Sequence, residues 1–394
     1  MRRGGVGAPG AGLTADVAIV GAGVLGASIA WHLGALGVRD VVLFDRGAPG
    51  QGSTARATGG FRAQFGTELE VRLALLAREK LRRFRDEVGV DSGYEPHGYL
   101  WLARTSAQLE VLRAANAVQR ACGLVEARIL ESAEIGTLNP AVRGEFAGGA
   151  WCPTDGFLRA LRILDGYLSG AQRQGAQLRT GAPVEAFRVD RGKVTALRVA
   201  GEEVACGSVV VACGAWSAPV AGMAGVLAPV SPLRRQVALT EPTSALPSTM
   251  PLTIFVEDGF HFRVRDGRAL LLLPNPGNPH DPFDTSLEPE WLDGVARTAA
   301  ERVPALAGVP IDRQGSWAGL YEMTPDHLPL LGFSDVVENL FLACGCSGHG
   351  VMLSPALGQL GAELLVGRTP SLPVEALRPG RFREGRAAPA AALL

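Results

Sequence analysis

The stretch Asp16-Val-Ala-Ile-Val-Gly21-Ala22-Gly23-Val24-Leu25-Gly26 narrows the folds open to this chain more than any other. A short apolar run ends in G-x-G-x-x-G, and a helical run follows over Ala27–Leu36. Gly21 permits a tight turn. Gly23 lets backbone N–H groups approach a pyrophosphate, and Gly26 lets helix and strand pack closely. The helix N-terminus adds a dipole that favours an anion. A second apolar run, Val41–Asp45, ends on a carboxylate 19 residues past Gly26, where a ribose-binding acid belongs. One Gly-rich turn would be weak evidence. Strand, glycines, helix and acid in register predict a bound dinucleotide.

A chain of 394 residues, 47% hydrophobic and 20% charged, has material for two cores. The net charge of −1 provides no field for nucleic acid, so none is expected as a partner. Of the 38 basic residues only Lys80 and Lys193 are lysines. The six cysteines include no C-x-x-C pair and none at zinc spacing to a histidine, so no metal site is expected. Several sit in apolar runs, which fits reduced thiols and a cytoplasmic protein. No apolar run is long enough to suggest a membrane span.

Helices are predicted near 67–88, 106–122, 157–174 and 351–366, where apolar residues recur at helical spacing. Strands are predicted at 184–189, 194–199, 209–212, 233–239, 253–256, 261–264, 269–273 and 340–344. The fold class that follows is α/β, or α+β overall: a Rossmann-type nucleotide-binding domain with an inserted, mostly antiparallel sheet. The expected boundaries are a disordered tail over 1–14, a discontinuous nucleotide-binding domain over 15–90, 148–229 and 325–372, a substrate domain over 91–147 and 230–324, and a tail over 373–394. The Pro- and Asn-rich run 274–289 reads as a lid or interface loop.

Two further strands break at small residues: Val209-Val-Val-Ala-Cys213-Gly214-Ala215-Trp216, and Leu340-Phe-Leu-Ala-Cys-Gly345-Cys-Ser347-Gly348-His349-Gly350. Three such ends in one chain suit a long ligand lying across a sheet, as FAD does. With Gly52-Ser53-Thr54, Gly59–Gly66, Pro153–Gly156 and Met323–Gly332, they make the chain resemble the D-amino-acid-oxidase-like superfamily of FAD-dependent amine oxidoreductases. The nearest likeness is to sarcosine oxidases, dimethylglycine and proline dehydrogenases and glycine oxidase. The resemblance spans roughly residues 15–370 in the family's order.

That resemblance implies non-covalent FAD held by Gly21, Gly23, Val24, Leu25, Gly26, Asp45, Arg46, Ser53, Thr54, Val184, Cys213, Gly214, Trp216, Gly345, Ser347, Gly348, His349, Gly350, Val351 and Met352. Covalent attachment is not expected. Tyr321 stands where monomeric sarcosine oxidases carry the attaching Cys, and Phe65 where dimethylglycine dehydrogenases carry a His. Arg62, in Gly59-Gly-Phe-Arg-Ala-Gln-Phe-Gly66, matches an arginine that pairs with the substrate carboxylate in relatives. Met352 replaces their second cation, and Thr324 is placed beside the flavin ring. Strand alternation puts His261 and Arg263 on one face, either in the pocket or towards solvent. With Tyr321 and His349 these complete the candidate catalytic set.

The expected activity is oxidation of the C–N bond of a small secondary or N-methyl amino acid by hydride transfer to flavin N5, followed by imine hydrolysis. Oxygen or another acceptor would reoxidise the flavin, and homo- or hetero-oligomers fit the β-type relatives. Two other readings stand beside it: oxidation of a 2-hydroxy acid on the same fold, and a flavoprotein subunit without its own activity.

Overall fold

The computed structural model describes residues 14–275 and 277–389. Two eight-stranded sheets organise the chain. In the first, Thr14–Val20 lies parallel to Val41–Phe44 on one side and to Glu202–Val211 on the other. Gln177–Arg179 extends the row beyond Val41–Phe44, and Leu340–Cys344 extends it beyond Glu202–Val211. Leu330–Phe333 closes that edge antiparallel to Leu340–Cys344. The chain runs from Thr14–Val20 outward to Val41–Phe44 and Gln177–Arg179 and later takes up Glu202–Val211 on the other side, so the strand order reverses at Thr14–Val20. A crevice therefore opens beyond Val20, which is where ligands bind in open sheets.

Both faces of this sheet are covered. Val17, Ile19, Leu43 and Phe341 join one core, while Ala18, Val20, Phe44 and Leu342 join the other. Burial on both faces is why these strands read as unbroken apolar runs rather than alternating ones. The first core packs against the first helix, Val24–Ala35, the last helix, Gly350–Leu365, and the helix Ala160–Arg173.

The second sheet runs in the order Ile311–Met323, Ser231–Thr240, Arg268–Leu272, His261–Arg265, Leu252–Phe255, Tyr99–Ala103, Gly148–Cys152, Arg128–Leu130. It is antiparallel except where Leu252–Phe255 meets Tyr99–Ala103. The helix Pro289–Arg302 buries Trp291, Leu292, Val295 and Ala299 against it. A two-stranded ribbon, Gly60–Phe61 with Gly156–Phe157, fixes the segment that carries Arg62.

Several boundaries differ from the sequence expectation. Residues 1–13 of the expected tail lie outside the described residues, and Thr14 opens the first strand. Gly148–Cys152, expected in the nucleotide-binding domain, pairs instead in the second sheet, between Tyr99–Ala103 and Arg128–Leu130. Its two glycines hid a strand whose neighbours supply the packing. The helix expected from 157 starts at Ala160, because Gly156–Phe157 is taken by the ribbon. The stretch 67–88 is two helices, Glu68–Arg82 and Phe84–Val88. The C-terminal stretch is no tail over 373–389: Arg381 is 1% exposed and binds both carboxylate oxygens of Asp326 at 2.8 Å. Short 3-10 turns with no period carry this packing, so residue spacing does not signal it; residues 390–394 lie outside the described residues.

Candidate functional site

The parallel strand ends and one face of the second sheet enclose a cavity of about 1110 Å³. Its nucleotide end is built by the first turn. Gly21 has φ +104, and a Cβ there would lie 2.3 Å from the Ala212 carbonyl oxygen. Gly26 sits beneath the wall, where a Cβ would be 2.1 Å from the Gly21 carbonyl oxygen. Gly23 differs from both. Its backbone is extended (φ −74, ψ 178), and a Cβ would meet only Thr54 Oγ1, at 3.6 Å. The space before Gly23 is therefore open cavity.

The first helix has no side-chain cap on its N-cap residue. Val24 N–H donates to Thr54 Oγ1 at 3.2 Å, and Leu25 also lines the cavity. Unsatisfied N–H groups at such an end favour an anion. Asp45 accepts from Ala22 N–H and Gly47 N–H, both at 2.9 Å, which holds the carboxylate at the end of the second strand. Arg46 lies over the Trp216 ring at 4.3 Å, and Phe283 stacks on Trp216 with ring centroids 5.5 Å apart. Val184 and Gly214 also line this end. The expected lid over 274–289 thus reaches the cavity through Pro274, Phe283 and Thr285 and ends in the helix Pro289–Arg302.

The last helix supplies a second N-terminus. His349 is its N-cap without a side-chain cap bond, after Ser347 and Gly348 at φ 48 and 91. Ser347, Gly348, His349, Gly350, Val351 and Met352 all line the cavity. Two uncapped helix ends, an open glycine turn and an acid at the second strand form a donor set and a cradle that fit a dinucleotide with a ring system at its far end.

Gly345 and Thr324 are behind the wall rather than on it. Gly345 N–H donates to Glu322 Oε2 at 3.0 Å, and Thr324 Oγ1 donates to the Leu328 carbonyl at 2.8 Å. Ser53 is on the wall, but its hydroxyl donates to the Leu320 carbonyl at 2.7 Å and so ties the loop to the second sheet. Cys213 lines the cavity as a neutral thiol. Burial pushes it up to about 12, Asp45 adds to this, and its Sγ donates to the Val20 carbonyl.

The other end of the cavity holds Arg62, His261, Tyr321 and His349 together. Arg62 is 3% exposed, lies 4.3 Å over Phe65 and 5.1 Å over Trp101, and donates to the Gln64 carbonyl. Its Nη2 lies 3.0 Å from His349 Nε2. A guanidinium can only donate, so His349 Nε2 accepts and Nδ1 carries the ring proton. Burial, then the Arg62 charge, pushes His349 well below the ordinary histidine range. His261 is likewise lowered, by burial and then by Arg235 and Arg62. Its Nδ1 donates to the Gly259 carbonyl at 2.8 Å, which leaves Nε2 with a lone pair.

Arg263 is not on the cavity wall. It donates to the carbonyls of Thr58 and Gly59 at 3.0 and 2.8 Å and stacks at 3.5 Å on Phe157. The expected alternation holds along the strand, but the loop before Arg62 covers that position, so Arg263 positions the loop. Sequence reasoning missed Arg235 and Glu322, both on the wall. The signal for the first was a pair of arginines inside an apolar strand, Leu233-Arg-Arg-Gln-Val237. Burial pushes the Glu322 carboxyl up, against the pull of the Gly345 and Cys346 N–H groups. Among the described residues no group of three or more His, Cys, Asp or Glu could hold a metal, and no helix is long and apolar enough to cross a membrane.

Known proteins share this architecture. The family model described as DAO, FAD dependent oxidoreductase, matches residues 16–364. Human mitochondrial sarcosine dehydrogenase is 29% identical over 362 residues, which cover 88% of this chain but only 39% of that protein. Glycine oxidase of Geobacillus kaustophilus is 30% identical over 361 residues, covering 89% of this chain and 92% of the other. The crystal structure of L-proline dehydrogenase from P. horikoshii superposes with a TM-score of 0.87 at 26% identity, covering 96% of this chain and 100% of that one. The chain belongs to the DAO family of FAD-dependent oxidoreductases, with FAD as its cofactor.

Proposed function

We propose that the protein oxidises the C–N bond of a small amino acid, secondary or N-methyl, to an imine that water hydrolyses. The observation that carries this reading is the single cavity in which a buried arginine and two neutral histidines face the ring end of the nucleotide cradle. The names of the relatives agree: they act on sarcosine, glycine and proline.

Held at the Gly23 turn, Asp45 and the His349 helix end, FAD would supply the acceptor for a hydride equivalent from the substrate α-carbon. The rest falls to the chain's own groups. Arg62 takes the substrate carboxylate with its planar fork, braced by Phe65, Trp101 and the Gln64 carbonyl. His261 Nε2 accepts the proton of an incoming ammonium, so that the amine reacts neutral. His349 keeps Arg62 oriented while staying uncharged itself. Trp101, Leu252 and Ile254 give this end apolar walls, which exclude water and strengthen the charged contacts.

The flavin is held without a covalent bond. Tyr321 offers no thiol or imidazole, Phe65 lies off the cavity wall, and the Cys213 thiol is occupied with the Val20 carbonyl. Acid precipitation releases all yellow colour into the supernatant; colour left in the pellet would refute this. Reoxidation by oxygen or another acceptor, assembly into homo- or hetero-oligomers, and residence in the cytoplasm belong to the same proposal. Support for the last is six free cysteines.

An anaerobic flavin-reduction screen tests the reaction, using N-methyl, cyclic and primary amino acids alongside 2-hydroxy acids. Bleaching by an amine is the expected result. Bleaching by a hydroxy acid alone overturns it.

A further inference from the structure

We propose that the preferred substrates are secondary amines bearing a carboxylate on each arm, with Arg235 as the anchor for the second carboxylate. The reaction invoked rests on the amine-oxidation reading above; the second anion site stands on its own observations.

Arg235 lies on the strand Ser231–Thr240, opposite Gly319, which presents no side chain to it. It lines the cavity, with its guanidinium 5.7 Å from the centroid of the Tyr321 ring. Among the described residues it has no hydrogen-bond or ion-pair partner. The other arginines on the wall are engaged. Arg46 stacks on Trp216 and Arg56 donates to the Gln51 and Gly52 carbonyls, while Arg62, oriented by Gln64 and His349, keeps donors for the first carboxylate. Arg234, on the opposite face of the same strand, is met by Asp284 and Glu288.

No acid on the wall is free to answer Arg235. Asp45 and Glu322 accept backbone N–H groups, and Glu257 and Asp258 pair with Arg104 and Arg302. A half-buried guanidinium without an acceptor is costly, and a ligand can supply the missing acceptor. Arg62, Arg235, His261 and Tyr321 line the same cavity, and both guanidinium charges act on Tyr321 and His261, so the two cations border one chamber. Two forks in that chamber suit a substrate with two carboxylates and the reacting amine between them. One guanidinium neutralises one charge, which matches a carboxylate and not a phosphate dianion.

The test uses the holoenzyme and matched pairs that differ by one carboxylate. Sarcosine is compared with iminodiacetate, N-(2-carboxyethyl)glycine and N-(3-carboxypropyl)glycine by half-saturating concentration for anaerobic flavin reduction. At least one diacid should saturate at a concentration about ten- to a hundredfold lower. Arg235→Gln and Arg235→Met should collapse that ratio to within about twofold. Binding is read separately from chemistry with thiodiacetate and (methylthio)acetate, whose sulfur replaces the amine, by perturbation of the flavin absorbance. Thiodiacetate should bind more tightly, and only while Arg235 is present. If no amine reduces the flavin but this dependence persists, the amine-oxidation reading fails and the second anion site stands. Equal responses to monoacid and diacid in the wild-type protein overturn the proposal, as does a diacid preference that survives both substitutions.

Discussion

Gly23→Val separates loss of cofactor from loss of fold, because the structure treats the glycines of the first turn unequally. At Gly23 the backbone is extended, a conformation valine adopts readily, and the new Cβ meets only Thr54 Oγ1 at 3.6 Å. Valine is a poorer N-cap than glycine, so the apo protein should lose no more than about 1 kcal/mol. The isopropyl group would instead fill the space before the uncapped helix end. A pyrophosphate displaced from two backbone N–H groups loses about 1.5–3 kcal/mol for each charged bond, or roughly two to four orders of magnitude in FAD affinity. Gly21→Ala is the contrast. Its φ of +104 and the Ala212 oxygen 2.3 Å from the new Cβ strain the fold itself, so the apo protein should unfold several degrees earlier. The assay is FAD titration by fluorescence quenching, paired with thermal melts of flavin-free protein so that FAD linkage does not enter the comparison. Full flavin occupancy in Gly23→Val would show that the nucleotide does not lie on this turn. An apo melt lowered as far as that of Gly21→Ala would show that the open space was misjudged.

Arg62→Ala should weaken a carboxylate substrate by roughly one to two orders of magnitude, with Arg62→Lys recovering only part, since the fork is lost; unchanged half-saturation in a flavin-reduction titration would move the anchor elsewhere. His261 is pushed below its ordinary value of 6.5, so it is neutral at pH 7 and becomes charged only below that value. Flavin-reduction rates should therefore fall on the acid side, and that limb should vanish in His261→Asn; a limb that persists assigns the proton to another group. Burial pushes Asp326 up, but its two bonds to Arg381 hold it below the ordinary carboxyl range. This stabilisation is complete above about pH 4 and lost as pH falls through the folded-state value. Arg381→Met leaves a buried carboxylate unpaired and should cost about 3–5 kcal/mol at pH 7. In that variant burial, the largest influence on Asp326, is opposed only by the Leu328 and Ala388 N–H groups, so urea midpoints should rise from pH 7 to pH 5, opposite to a loss through a depressed carboxyl; a midpoint independent of pH would show that the pair does not carry the C-terminal packing.

Local chemistry made the nucleotide end legible in the sequence. A G-x-G-x-x-G turn between strand and helix has few alternative conformations, and Gly21, Gly26 and Asp45 do in the structure what the spacing demands. Strands buried on both faces announced themselves as apolar runs. The substrate end was another matter. Arg62 could be singled out by its motif, yet its partner His349 is 287 residues away. Whether Arg263 or Arg235 faces the cavity depended on which loop covers which face of a sheet, and no periodicity records that. Gly148–Cys152 and the segment around Arg381 were misread for the same reason: neither has a local pattern, and both are held by residues distant in the chain. The turn, the acid and the apolar runs of the central strands could be read from residue order, because those depend on neighbours within one element. Which cations share a chamber could not, because that depends on how two sheets close around it.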